Sequence, residues 1–162
     1  RYTSLGGLYN AGLADAILGT LGMTSYATSF HYSQPQLAGG INTSANVYTA
    51  FLRRLLRHDL VAGSQLNAYA RCTNPQTCAS AIETPFPTTE SPNYSIGHWV
   101  EDTLVADGAY SSAGAFGFYP WIEPTKAYYG VLVRAVLVGR PALDSVACGR
   151  KLRLAWATGV AS

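Results

Sequence analysis

The sequence predicts an α/β (α+β) chain, and three segments carry that expectation. Residues 115–136 read as a β-hairpin. Residues 44–58 read as an amphipathic helix, and residues 143–156 as a closing helix. The 162 residues are 48% hydrophobic and only 12% charged. That is enough for one domain with a real core, or for part of a larger one, at about half the usual share of charge.

From the N-terminus, residues 1–10 are glycine-rich and unpatterned. Residues 11–21 place Leu13, Ile17, Leu18 and Leu21 at helical spacing, and Gly22 is suited to stop that helix. Residues 24–40 mix polar and aromatic residues with Pro35 and Gly39-Gly40. They are expected to form an irregular surface or cleft segment rather than core.

Ser44 is a candidate N-cap for the helix that follows. Val47, Phe51 and Leu55 form one apolar stripe and Tyr48, Leu52 and Leu56 the next, with Arg53, Arg54, Arg57 and His58 opposite. Residues 64–71 are expected to be another short helix. The three prolines of residues 84–93 mark a loop. Residues 94–101 alternate like a strand, with Gly97 as its weak point. Asp102 to Asp107 is a turn or loop.

The hairpin follows. Its first strand contains Gly117, which marks close approach by a backbone or ligand, and Pro120, which confines a strand to an edge, an end or a bulge. Its second strand, residues 128–136, is rich in β-formers and nearly all apolar, as for a strand covered on both faces. The last helix, residues 143–156, has Asp144 or Ser145 near its start, and Gly159 follows it.

Net charge is +2, which gives no footprint for nucleic acid or a membrane surface. The clusters Arg53/Arg54/Arg57 and Arg150/Lys151/Arg153 read as solvated helix faces. No apolar run is long enough for a membrane span. No signal-peptide pattern is present, and the chain starts at Arg1, as a mature, processed or partial polypeptide would. Cys72 and Cys78 enclose a turn-forming loop and are expected to pair in an oxidising compartment. Cys148 is left as a buried thiol or a link to another chain. Asn42 and Asn93 lie in glycosylation sequons, in keeping with secretion. No His/Cys/Asp/Glu set has metal spacing and no phosphate loop is present, so neither metal nor cofactor is implied. His58 is expected to be solvated, and His98 to be hydrogen-bonded and structural.

Several stretches, in order, resemble the serine β-lactamase, penicillin-binding-protein and esterase superfamily, in particular its class C-like serine hydrolases. Leu21-Gly22-Met23-Thr24 is similar to the "P-L-G-M-x-x-T" segment, with Thr20 in place of proline. Residues 35–40, then Thr43-Ser44 and the helix after it, resemble "L-A-G-G-…-S-T-…-D-Y-A-x-F-L-x-x-L-L". Residues 94–101 resemble the "Y-G-L-G-W" strand. Ser112-Ala113-Gly114 stands in the place of "[KH]-[ST]-G". Residues 116–134 resemble the closing strands, and 143–156 the C-terminal helix.

The resemblance implies the C-terminal part of a β-lactamase/transpeptidase-like fold, with an antiparallel sheet flanked by helices. It implies amide or ester hydrolysis through an acyl-serine. Ser111, Ser112, Gly114, Ala115 and Phe116 would form the substrate edge and its oxyanion side, with the loop 35–40 nearby. The nucleophile motif S-x-x-K is absent: Glu123 and Cys148 stand three positions before Lys126 and Lys151. The chain alone is therefore expected to be inactive. Its partner would be a missing N-terminal segment or a second chain, with self-assembly also open, and its substrate a small amide or ester. The location would be extracellular or periplasmic. Two other readings stand: an inactive extracellular structural or assembly protein, and a binding module using Trp99, Tyr119 and Trp121.

Overall fold

A computed structural model describes residues 12, 16–33 and 40–161. They form an α+β protein with antiparallel sheets and helices, divided into two compact units at residues 54/55.

In the first unit, residues 16–20 form helix α1, ended by Gly22 in the left-handed conformation (φ 62°). Leu13 lies outside the described residues. A 3₁₀ helix, Thr24–Ser29, leads into strand β1 (Phe30–Tyr32), which pairs antiparallel with β2 (Ile41–Thr43). The expectation of an irregular, non-core segment fails here. Phe30 and Tyr32 alternate with exposed His31 and join Leu18, Met23 and Val47 in the core. Two inward rings every second residue suffice for a half-buried strand.

Helix α2 (Ala45–Leu56) has the expected cap: the Val47 N–H donates to Ser44 Oγ at 3.4 Å. Val47, Leu52 and Leu55 are buried, while Arg53, Arg57 and His58 are exposed. Arg54 turns back to donate to the Gly22 carbonyl at 2.9 Å.

The second unit starts at residue 55. The short helix expected over 64–71 is displaced to α3 (Val61–Ser64). Asn67 and Tyr69 have φ of 69° and 55°, and no right-handed helix passes through such residues. A six-stranded antiparallel meander follows: β3 (Arg71–Cys72), β4 (Asn93–Tyr94), β5 (Trp99–Val100), β6 (Tyr110–Ser111), β7 (Tyr119–Ile122) and β8 (Tyr129–Leu132). Cys72 and Cys78 sit at disulfide distance, with Cα atoms 6.3 Å apart. The single strand expected over 94–101 is instead the β4–β5 hairpin. Gly97, at φ 72°, makes its turn.

Strand β7 is buried on both faces, but β8 is only half-buried and stops at Leu132. The chain then leaves the ladder, and the Val136 N–H donates to the Phe116 carbonyl at 3.0 Å. Pro120 is not at an edge: β7 lies between β6 and β8. Its carbonyl accepts from the Ser112 N–H at 3.1 Å, so its missing N–H faces the same neighbour. That is where β6 ends, and the ladder loses one bond there rather than the whole strand.

Helix α4 (Pro141–Thr158) begins with Pro141 in its first turn and is capped by Gly159 (φ 72°). It packs on β7 through Val146 and Gly149, over a core of Phe86, Tyr119 and Trp121. A methyl group at 149 would overlap the Tyr119 ring, so glycine sets this close approach. Gly130 stands opposite Trp121 in the ladder, and a Cβ there would lie inside the indole.

Candidate functional site

The head of the β6–β7 hairpin holds every residue of the expected substrate edge. The ladder runs past β6 through the Ser112 N–H bond to Pro120. The Gly114 N–H then donates to the Phe118 carbonyl at 2.7 Å, and the Gly117 N–H to the Gly114 carbonyl at 2.9 Å. Residues 114–117 are thus a tight turn, with Gly117 at φ 95°. The N–H of Gly114 is used internally. Those of Ala115 and Phe116 meet no acceptor among the described residues. Both residues are exposed, Phe116 to 59%.

Ser112 is half-buried beside this turn, whereas Ser111 is 2% exposed. Ser111 Oγ and Trp121 Nε1, on residues paired across the ladder, are buried without a hydrogen-bond partner among the described residues. Residues 34–39, with most of the 35–40 loop, lie outside the described residues.

Below the sheet is a polar network that the sequence reading missed. Arg153, taken there for part of a solvated face, is 2% exposed. Its Nη2 donates to Glu101 Oε2 at 2.9 Å, its Nη1 to Tyr119 Oη at 2.8 Å, and its Nε and Nη2 to Asp107 at 2.7 and 2.8 Å. Tyr119 Oη donates to Glu101 Oε1. Arg150 bridges Glu101 and Glu90, each at 2.9 Å.

Burial and the Glu101 charge raise the Tyr119 hydroxyl above the usual phenol range. Burial disfavours the Arg153 charge, but Asp107, Tyr119 and Glu101 more than offset it. The clue lay in spacing. Arg150 and Arg153 stand at i+4 and i+7 from Val146, and Gly149 at i+3, on the inward side of the helix. The centre of the network, Arg153, Glu101 and Tyr119, is closed to solvent and structural, while Asp107 lies exposed at its rim.

His98 is structural, as expected. Its Nε2 accepts the Asn67 N–H at 3.2 Å, so Nδ1 carries the proton and donates to the Ile96 carbonyl at 3.0 Å. Burial lowers its pKa from the ordinary 6.5, against the opposing Ile96 bond. His58 is exposed. Of the three aromatic candidates, Tyr119 and Trp121 are core, and Trp99 is half-buried against Phe86 and Tyr94. Asn42 is exposed on β2, while Asn93 is half-buried between Cys72 and Val100. Cys148 is exposed and free, not a buried thiol.

Among the described residues no cluster of His, Cys, Asp and Glu is arranged to hold a metal ion, and no helix is long and apolar enough to cross a membrane. No protein-family model matches the chain, and a search of curated proteins found no match. Fold and site together define an α+β protein with an antiparallel sheet whose hairpin head presents open backbone donors.

Proposed function

We propose that these residues are the C-terminal part of a secreted serine hydrolase of the β-lactamase and penicillin-binding-protein type. They would furnish the substrate edge and one side of the oxyanion hole. The observation that carries this reading is the open N–H of Ala115, beside that of Phe116, on a turn fixed by three backbone hydrogen bonds. A backbone donor held in place before the reaction stabilises a developing oxyanion without reorganisation. Further support comes from the order β6-β7-β8 followed by a helix on one sheet face, which suits the closing strands of that family. A serine from outside residues 1–162 would attack an amide or ester carbonyl, and its oxygen would take the negative charge against the Ala115 N–H. The tetrahedral adduct would collapse to a serine acyl ester as the C–N or C–O bond breaks and the protonated amine or alcohol leaves, and water would then hydrolyse that ester to the acid and the free serine. The Cys72–Cys78 pair suits secretion.

The test is acylation. A fluorophosphonate or penicillin probe should leave the chain of residues 1–162 unlabelled. Joined to the sequence encoded upstream, the protein should label at a serine of S-x-x-K. Ala115→Pro, which deletes the N–H, should then lower kcat by about 10²–10³-fold. A joined protein that neither labels nor hydrolyses esters sinks the reading.

The second reading is an inactive extracellular assembly protein. The observation favouring it is the surface of α4, where Cys148, Leu152 and Trp156 are exposed, the last to 77%. It expects self-association of this chain by sedimentation, abolished by Trp156→Glu.

A further inference from the structure

We propose that His98 is an acid-operated latch: its neutral ring holds residues 67–69 in a strained backbone against the β4–β5 turn, and protonation of that ring releases them. The inference is independent of the hydrolase reading.

The latched segment lies between α3 and β3. Asn67 and Tyr69 are both left-handed, at φ 69° and 55°. Asparagine tolerates that region better than most residues, but for a bulky tyrosine it is an outlier. Each such residue is disfavoured about tenfold in population, and the conformation persists only where its surroundings impose it. Packing of the Tyr69 ring does not impose it, since that residue is 78% exposed. Two hydrogen bonds from outside the segment do. The Asn67 N–H donates to His98 Nε2 at 3.2 Å, and Ser95 Oγ donates to the Ala68 carbonyl at 2.5 Å. Both partners belong to the β4–β5 hairpin, whose turn is closed by the Ser95 N–H on the His98 carbonyl at 2.9 Å.

Acid breaks one of these two tethers. The other ring nitrogen, Nδ1, already donates to the Ile96 carbonyl at 3.0 Å. An imidazolium carries protons on both nitrogens and accepts nothing. Its Nε2–H would meet the Asn67 N–H donor against donor. The strain at Asn67 and Tyr69 then favours return to the right-handed backbone, with only the Ala68 bond opposing it. Burial holds His98 neutral to below the ordinary 6.5, so the latch is shut at neutral pH.

The surroundings offer the new charge no partner. No carboxylate among the described residues pairs with His98. Strand β6 presents Tyr110, whose ring meets the imidazole edge-on at 5.9 Å. The turn at residues 123–128 brings Lys126, with Nζ 5.8 Å from the centre of that same ring. The acids nearest in sequence are already engaged. Arg150 and Arg153 hold Glu101, and the Ser91 and Leu104 N–H groups hold Asp102. Release would free the chain that leads into β3, an edge strand of the sheet.

The experiment is NMR of the ¹⁵N,¹³C-labelled full chain as pH is lowered from about 7.5 to about 5. The Cα shifts and HN–Hα couplings of Asn67 and Tyr69 should leave their left-handed values with the midpoint of the His98 ring protons, while the amides of β5 to β8 keep their dispersion. Papain, active across this range, should cut between residues 65 and 70 at least about tenfold faster at the acid end. His98→Gln, an acceptor that does not titrate, should keep the segment shut throughout. His98→Phe should leave it open at neutral pH. Tyr69→Gly removes strain but no tether, and should move the release to lower pH, a shift that a merely structural histidine would not show. If His98→Phe fails to fold, the other two variants decide the matter. A segment that stays left-handed while His98 titrates, release that persists in His98→Gln, or an unmoved midpoint in Tyr69→Gly would overturn the proposal. So would loss of dispersion throughout the second unit at the same pH.

Discussion

Arg153 and Glu101 form an ion pair at 2.9 Å with side chains 1% and 0% exposed, tying the last helix to the loop after β5. Two charges removed from water are tolerable only when paired and hydrogen-bonded. Here Tyr119, Asp107 and Arg150 complete the shell. Arg153→Ala should therefore destabilise the second unit by about 3–5 kcal/mol, because Glu101 is left buried with a partner missing. Urea denaturation followed by tryptophan fluorescence reads this directly. A loss below about 1 kcal/mol would mean that the pair is hydrated in solution.

The same network makes the protein acid-sensitive. Burial pushes the Asp107 carboxyl up, but hydrogen bonds and charge from Arg153 outweigh it, and its pKa falls below the ordinary 3.8. A depressed folded-state pKa gives stability that is present above 3.8 and is lost as pH drops through the folded value. The Asp107 side chain is 42% exposed, so solvent screening holds its share to about 1 kcal/mol. Asp107→Asn should flatten the melting curve against pH below about 4. A variant that tracks the wild type across that range would exclude Asp107 as a contributor.

His98 gives a second, milder window. Its folded pKa is lowered, so its contribution is complete above 6.5 and is lost as pH falls through the folded value. Protonation at Nε2 removes the acceptor of the Asn67 N–H. Exchange of the Asn67 amide, corrected for its intrinsic pH dependence, should speed up as His98 titrates. His98→Gln should abolish that dependence. An Asn67 amide indifferent to pH in the wild type would contradict the bond.

Gly149 tests the packing of helix on sheet. A methyl group there overlaps the Tyr119 ring, which is 0% exposed and anchored by Arg153 and Glu101. Gly149→Ala should cost about 1–3 kcal/mol despite alanine's better helix propensity. Ala147→Gly, on the exposed side of the same helix, should cost only about 1 kcal/mol, by propensity alone. Equal losses at the two sites would mean that α4 does not seat at Gly149.

Much of this was legible in local pattern. The Ser44 cap, the inward face of α2 and the Gly159 stop all follow from nearest neighbours in sequence. What escaped depended on distant partners. Arg153 reads as solvated until Glu101 and Asp107, far back in the chain, are brought beneath it. Asn67 and Tyr69 read as helical because nothing local announces a left-handed backbone at a non-glycine residue. Phe30 and Tyr32 were hidden by polar neighbours that turn outward. At the candidate site, sequence reading picked out residues that the structure gathers on one turn and the strand leading into it. It missed that the Gly114 N–H is used internally, by the Phe118 carbonyl across the turn.

The Trp121–Gly130 contact bears on how this sheet avoids misassembly. A slip of β8 by two residues keeps each side chain on its own face, so hydrophobic pattern alone does not forbid it. Such a slip would bring Tyr128 or Leu132 under the indole, where only a hydrogen fits. Gly130 therefore acts as a keyway. It admits one alignment of the last strand and rejects its nearest look-alikes by volume, at the strand most open to pairing with the wrong neighbour.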